Sequence, residues 1–138
     1  MSLTWAYRAA GWTPNLREQA NRLSSPRMSI EVAVGPLPDL PAALDVAILR
    51  IVGEAMTNAA RHSEARHCTV TVRAAEGRVE VVVRDDGRGM RTGPRDHGLG
   101  LSSMRARALE LGGSCSVESA VGAGTTVRAF LPVTAEQS

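Results

Sequence analysis

Two stretches of this chain do the same thing twice: each alternates apolar and polar side chains on both sides of a glycine-bearing turn. The first runs from Cys68 to Arg73, turns at AAEG, and returns from Val79 to Arg84. The second runs from Ser114 to Ser119, turns at VGAG, and returns from Thr125 to Leu131. A period of two sends successive side chains to opposite faces, so each stretch reads as a hairpin with one face to bury. Helical patterns supply the cover. Pro41 opens a long helix to about His62, where its missing N–H costs little, with Leu44, Ile48, Ile51, Val52, Ala55 and Ala59 as the apolar stripe. Ser102 is expected to cap a further helix that runs to Gly112-Gly113. Earlier, Leu16 to Leu23 reads as a short helix and Ser29 to Val34 as a strand, stopped by GPLPDLP. The order is helix, strand, helix, two strands, helix, two strands. That order predicts an α+β fold, a two-layer sandwich with helices on one face of a mixed sheet.

A length of 138 residues suits one domain that buries roughly two-thirds of its unfolded surface. Residues 1–15 are poorly patterned, 16–133 carry the domain, and 134–138 form a tail. The formal charge is +2, with 16 basic residues spread along the chain, so nucleic acid is not the expected partner. Aromatics at 3% leave few platforms on which bases could stack. Cys68 and Cys115 sit in alternating apolar stretches without metal-ligand spacing, which reads as reduced core thiols and a cytoplasmic setting. No apolar run is long enough to span a bilayer and no signal peptide is visible, so no direct membrane contact is expected. All 16 basic residues are arginine. The absence of lysine excludes both the P-loop and the serine/threonine protein kinase designs, each of which needs a lysine on its phosphates.

The segment VVVRDDGRGMRTGPRDHGLGLSSM, residues 81–104, joins a strand to a helix through an open glycine loop. Val79, Val81 and Val83 share a face, and the same parity aims Asp85 at the helix-covered side and Asp86 away from it. A carboxylate aimed at a core needs donors, and the amino group of a heterocycle is one. Gly87 and Gly89 let a flat ring approach the backbone, although DDG also suits an ordinary surface turn. Gly98-Leu99-Gly100-Leu101 precedes a helix, so backbone N–H groups and a helix dipole converge where a phosphate could sit, with His97 and Arg95 nearby. Nine of the thirteen glycines fall between 87 and 124, which favours a ligand-closing lid over a plain connector. On the long helix Glu54, Asn58 and Arg61 lie within roughly 60° of one another at the border of the apolar stripe. Asn58 offers an oxygen suited to Mg²⁺, Glu54 a base, and Arg61 with His62 a phosphate contact. Such a row is also what a solvated helix face looks like.

GEAMTNAARHS, VRDDGRGM, HGLGLSSM and GAGTTV together resemble, in order, the N box and the glycine boxes of the GHKL ATP-binding superfamily. The resemblance runs from about Pro41 to Pro132, and is to the sensor histidine kinase branch, nitrate-sensor or DesK-like subgroup. It implies a Bergerat-type fold and binding of ATP with Mg²⁺. Asp85 then matches the acid that accepts from the adenine amino group, and Thr125 the threonine that supports it through water. Asn58 matches the Mg²⁺ ligand and Glu54 the N-box acid that activates water in ATPase relatives. Arg61 and His62 close the N box, Gly87, Gly89 and Met90 belong to the first glycine box, and His97 with Gly98, Leu99, Gly100 and Leu101 forms the lid hinge over the phosphates. Asp86 stands where many members have Asn, and the lid from Arg91 to His97 is too short for a phenylalanine box. The implied activity is a protein histidine kinase that passes the ATP γ-phosphoryl group to a His on a dimerisation domain absent from this chain, and indirectly to a response regulator. None of His62, His67 and His97 fits the phosphoacceptor, so the chain is not expected to label itself. The alternatives are a free-standing anti-sigma-factor serine kinase of the same superfamily and a non-catalytic nucleotide-binding module.

Overall fold

A computed structural model describes residues 13–62, 64–88 and 101–133. The two hairpins share one sheet: β2 (His67–Ala75) pairs antiparallel with β3 (Arg78–Asp85), and β4 (Ser114–Ser119) with β5 (Thr125–Pro132). β3 and β5 pair antiparallel and join the hairpins, while β1 (Ser29–Val34) adds in parallel to β2. The resulting order is β1-β2-β3-β5-β4, a mixed sheet as expected. Among the described residues three helices complete the α+β architecture: α1 (Thr13–Leu23), α2 (Ala42–His62) and α3 (Leu101–Glu110).

Side chains on the helix-facing side of the sheet line up in rows that cross all five strands. One row is valine throughout: Val32, Val70, Val83, Val127 and Val117. The next is Val34, Val72, Val81, Ala129 and Cys115. Branched side chains are stiff and pack well on a pleated surface, and the central members of both rows are almost fully buried. Every residue of the α2 stripe expected from the sequence is buried against them. Both cysteines are free thiols, Cys68 buried and Cys115 half-buried.

Boundaries differ from expectation where local chemistry outweighs the hydrophobic pattern. α1 begins at Thr13, three residues before the apolar positions start, because Pro14 is preorganised for a first turn. α3 is described from Leu101, so Ser102 lies within its first described turn. Leu101, Met104 and Ala108 make up the buried face of α3, so its apolar stripe begins with Leu101. At the other end Gly112, with φ of +79°, and the Gly113 N–H on the Ala108 carbonyl stop the helix where the sequence places the stop.

The opposite face of the sheet has its own anchor. Glu80 is 8% exposed, and its carboxylate accepts from Arg73 Nε at 2.8 Å and Arg128 Nη1 at 3.0 Å, tying β2, β3 and β5 together. The hydrogen bond from Arg73, with a further one from Arg128, holds its pKa below the ordinary glutamate value. A lowered folded-state pKa gives stability that is present above the unfolded pKa and lost as pH falls through the folded one. Glu80→Gln should therefore reduce unfolding free energy at pH 7 by about 1.5–3 kcal/mol, the range for hydrogen bonds to charged groups. In urea titrations the gap from wild type should close in acid, where Glu80 is neutral too.

Candidate functional site

Beyond the valine row, the last complete row of the sheet turns polar. It reads Ile30, Cys68, Asp85, Thr125, Ser119. The register thus sets Asp85 directly opposite Thr125, residues 40 positions apart in sequence, with side chains on the same inner face. Asp85 is half-buried and Thr125 is 7% exposed. The Gly87 N–H donates to Asp85 Oδ1 at 2.8 Å, which fixes the orientation of the carboxylate. Cys68, on the other side of Asp85, is 1% exposed. Burial, then the charges of Asp85 and Asp86, push its thiol up to about 12, so it stays protonated and is no nucleophile.

Asp86 faces the other way and does a different job. Its Oδ1 accepts from the backbone N–H groups of Arg66 at 2.8 Å and His67 at 2.9 Å, and its Oδ2 lies 2.9 Å from His67 Nδ1. These bonds, the His67 N–H foremost, bring its carboxyl down to about 2. The clasp joins the end of β3 to the start of β2 across 19 residues, and no local sequence signal announces it. An amide oxygen in the same place would also accept from both N–H groups.

The turn between β4 and β5 is pressed against the same place. Gly124 has φ of +78°, and a Cβ there would collide with the backbone carbonyl oxygen of Asp85. The Gly122 N–H donates to the Arg88 carbonyl, joining this turn to the loop that leaves β3. Of the two glycines of GAGTTV, Gly124 is thus required by close approach of backbone to backbone, and Gly122 by its φ of +81° alone.

The α2 residues divide. Glu54 is half-buried and lines a cleft of about 420 Å³ with Gln19, Arg50, Thr57, Ser103 and Arg107, between α1, α2 and α3. Arg61 is exposed and lines a different cleft, of about 650 Å³, with Arg27, Glu64 and Arg66. Asn58 is half-buried between them in sequence, and His62 ends the helix. Among the clefts lined by described residues, Glu54 and Arg61 thus border different ones. Leu101 is 7% exposed and packs in the core, so what it can offer a ligand is its backbone. Gly89, Met90, His97, Gly98, Leu99 and Gly100 lie outside the described residues. Among the described residues no group of three or more His, Cys, Asp and Glu side chains is placed to hold a metal ion, and no helix is long and apolar enough to cross a membrane.

The Asp86 clasp is testable. Asp86→Ala should lower stability by about 1–2 kcal/mol by removing the charged acceptor of two N–H groups at the head of β2, whereas Asp86→Asn, which keeps an oxygen but not the charge, should cost less. Urea unfolding of both variants checks this, and equal losses would contradict the oxygen-acceptor role.

Comparison with known proteins assigns the fold to a family. Residues 44–135 match the family described as histidine kinase-, DNA gyrase B-, and HSP90-like ATPase. The chain is 36% identical over 103 residues to the sensor histidine kinase LnrJ of Bacillus subtilis (strain 168), covering 74% of this chain and 25% of that protein. It is 29% identical over 105 residues to the signal transduction histidine-protein kinase/phosphatase DegS of Brevibacillus brevis, covering 75% of this chain and 27% of that protein. The chain spans about a quarter of the length of these curated relatives. Its fold superposes on the histidine kinase domain from the Erythrobacter litoralis EL346 blue-light activated histidine kinase with a TM-score of 0.73 at 22% identity, covering 96% of this chain and 68% of that one. With the family matched over most of its described residues, and the fold shared with a histidine kinase domain, the chain belongs to the histidine kinase-, DNA gyrase B-, and HSP90-like ATPases.

Proposed function

We propose that this chain is the ATP-binding catalytic domain of a sensor histidine kinase, which passes the γ-phosphoryl group of ATP to a histidine carried by a separate dimerisation domain. The observation that carries the reading is the pairing of Asp85 with Thr125 at the polar end of an otherwise apolar sheet face. A carboxylate there accepts from the 6-amino group of adenine and meets a carbonyl oxygen on guanine, so the pair reads the base. Glycine at 87 leaves no side chain in the way of an approaching ring.

The other residues take roles by the matching of motifs. Asn58 supplies one amide oxygen to Mg²⁺, an ion that commonly keeps several waters and is completed by substrate phosphates, so a single protein donor fits it. Arg61 and His62 at the end of α2, with the amides of the segment 97–101, bind the phosphates. By the same matching, Gly89 and Met90 belong to the glycine box assigned to the base. Glu54, opening on the cleft beside Arg107, is the group placed to hold a proton or a water. When held by Asn58, Mg²⁺ would supply positive charge to offset that of the phosphates. In the transfer the acceptor imidazole nitrogen forms a bond to the γ-phosphorus as the bond to the β,γ-bridging oxygen breaks, leaving ADP. Of this chain's own histidines, His67 is engaged by Asp86. The acceptor domain, and a response regulator beyond it, are therefore the partners, in a cytoplasmic setting.

Two outcomes are expected. Asp85→Ala should weaken ATP binding by about 1.5–3 kcal/mol in calorimetry, and the native chain should prefer ATP to GTP. Given labelled ATP and Mg²⁺, the chain alone should stay unlabelled, while addition of the parent's dimeric histidine domain should give acid-labile label that rises with acceptor concentration. Acid-stable label on a small partner protein would overturn the histidine kinase reading in favour of a serine kinase.

A further inference from the structure

We infer that Ser119 is a positioning residue that fixes the Thr125 hydroxyl as a hydrogen-bond acceptor toward the nucleotide base. The inference rests on the proposed role of the Asp85 and Thr125 pair in reading the base.

Ser119 is the last residue of β4 and the register partner of Thr125 on the side away from Asp85. Thr125 thus stands between two polar neighbours in one row, Asp85 on β3 and Ser119 on β4. Ser119 Oγ lies 3.1 Å from the carbonyl oxygen of Gly124 and 2.9 Å from Thr125 Oγ1. A carbonyl oxygen only accepts, so the first contact uses the hydroxyl proton of Ser119. A hydroxyl has one proton. In the second contact Ser119 Oγ therefore accepts, and the Thr125 hydroxyl donates. The Gly124 carbonyl is a fixed end to this chain of bonds, because its residue sits at φ of +78° with no room for a Cβ against Asp85.

The proton of Thr125 is thus committed toward β4, and its lone pairs are left for the side where Asp85 stands. The base site then presents two adjacent acceptors, a carboxylate and a threonine oxygen, and takes a ligand edge that brings donors: an amino group, directly or through a water that donates. A 6-oxo purine puts a carbonyl oxygen where that amino group would be and meets acceptors only. Without Ser119 the Thr125 hydroxyl is free to turn its proton toward the ligand, which reduces the penalty for a carbonyl. Ser119 in this way sharpens a selectivity that Asp85 alone would leave to one residue.

The test compares binding of ATP and inosine triphosphate, which carries a 6-oxo group, by calorimetry of the native chain, Ser119→Ala, Ser119→Thr, Thr125→Val and the double variant Ser119→Ala with Thr125→Val. Ser119→Ala should weaken ATP binding about three- to tenfold, the scale of one hydrogen bond. The ATP preference over inosine triphosphate should fall by at least as much. Ser119→Thr keeps the hydroxyl and should restore both values, and thermal unfolding of each variant separates a change in the site from loss of fold. Because Ser119 acts through Thr125, the double variant should bind ATP no more weakly than Thr125→Val alone. Additive losses, or a nucleotide preference unchanged in Ser119→Ala, would overturn the inference and leave the base-reading role intact. If neither Thr125→Val nor Asp85→Ala affects ATP binding, the base-reading role itself falls, and the inference with it.

Discussion

The register between β3 and β5 is the constraint on which the site depends. Side chains alternate with a period of two, so a slip of one residue would send Asp85 to the outer face and bring Asp86 inward. The valine row forbids the slip. Val83 pairs with Val127, and Val81 with Ala129, so displacement of either strand would drive Val82, Arg84 or Arg128 into the helix-covered side. Burying an unpaired guanidinium costs several kcal/mol, more than the hydrogen bonds of a shifted ladder return. Glu80 applies the same lock from the other face, since its two arginines belong to the strands on either side. Apolar packing and an outer ion pair therefore hold in place a polar pair that, alone, would not fix a sheet.

Asp85 and Asp86 show how adjacent, identical side chains acquire opposite tasks from position. Asp85 is presented to the ligand side, oriented by Gly87 and flanked by Cys68 and Thr125. Asp86 is spent on the fold, closing the start of β2 with three contacts to Arg66 and His67. In the proposed function one recognises the base, and the other holds the strand that carries it. Replacing the first should change affinity, while replacing the second should change stability.

Much of this was legible in the chain because alternation and helical stripes are local. The α2 stripe, the strands Ser29–Val34 and Ser114–Ser119, and the parity that separates Asp85 from Asp86 follow from spacing alone. What the spacing does not contain is the partner across the sheet. The amides bound by Asp86 lie about 20 residues away, and the contact of Ser119 with Thr125 depends on a turn whose glycine must meet the Asp85 backbone. The α2 row is the converse case. Glu54, Asn58 and Arg61 are neighbours by angle, yet Glu54 and Arg61 are seven residues, about two turns, apart along the axis and border different clefts among the described residues. Helical spacing fixes direction from an axis and says nothing of what packs beside it.

The most direct test of the account is a structure of the chain with a bound, non-hydrolysable ATP analogue and Mg²⁺. The account predicts the adenine amino nitrogen within hydrogen-bond distance of the Asp85 carboxylate and the base edge turned toward Thr125. It also predicts that Asp86 keeps its bonds to Arg66 and His67 and makes none to the nucleotide. An adenine ring seated elsewhere, or an amino group held by Asp86 in place of Asp85, would contradict it.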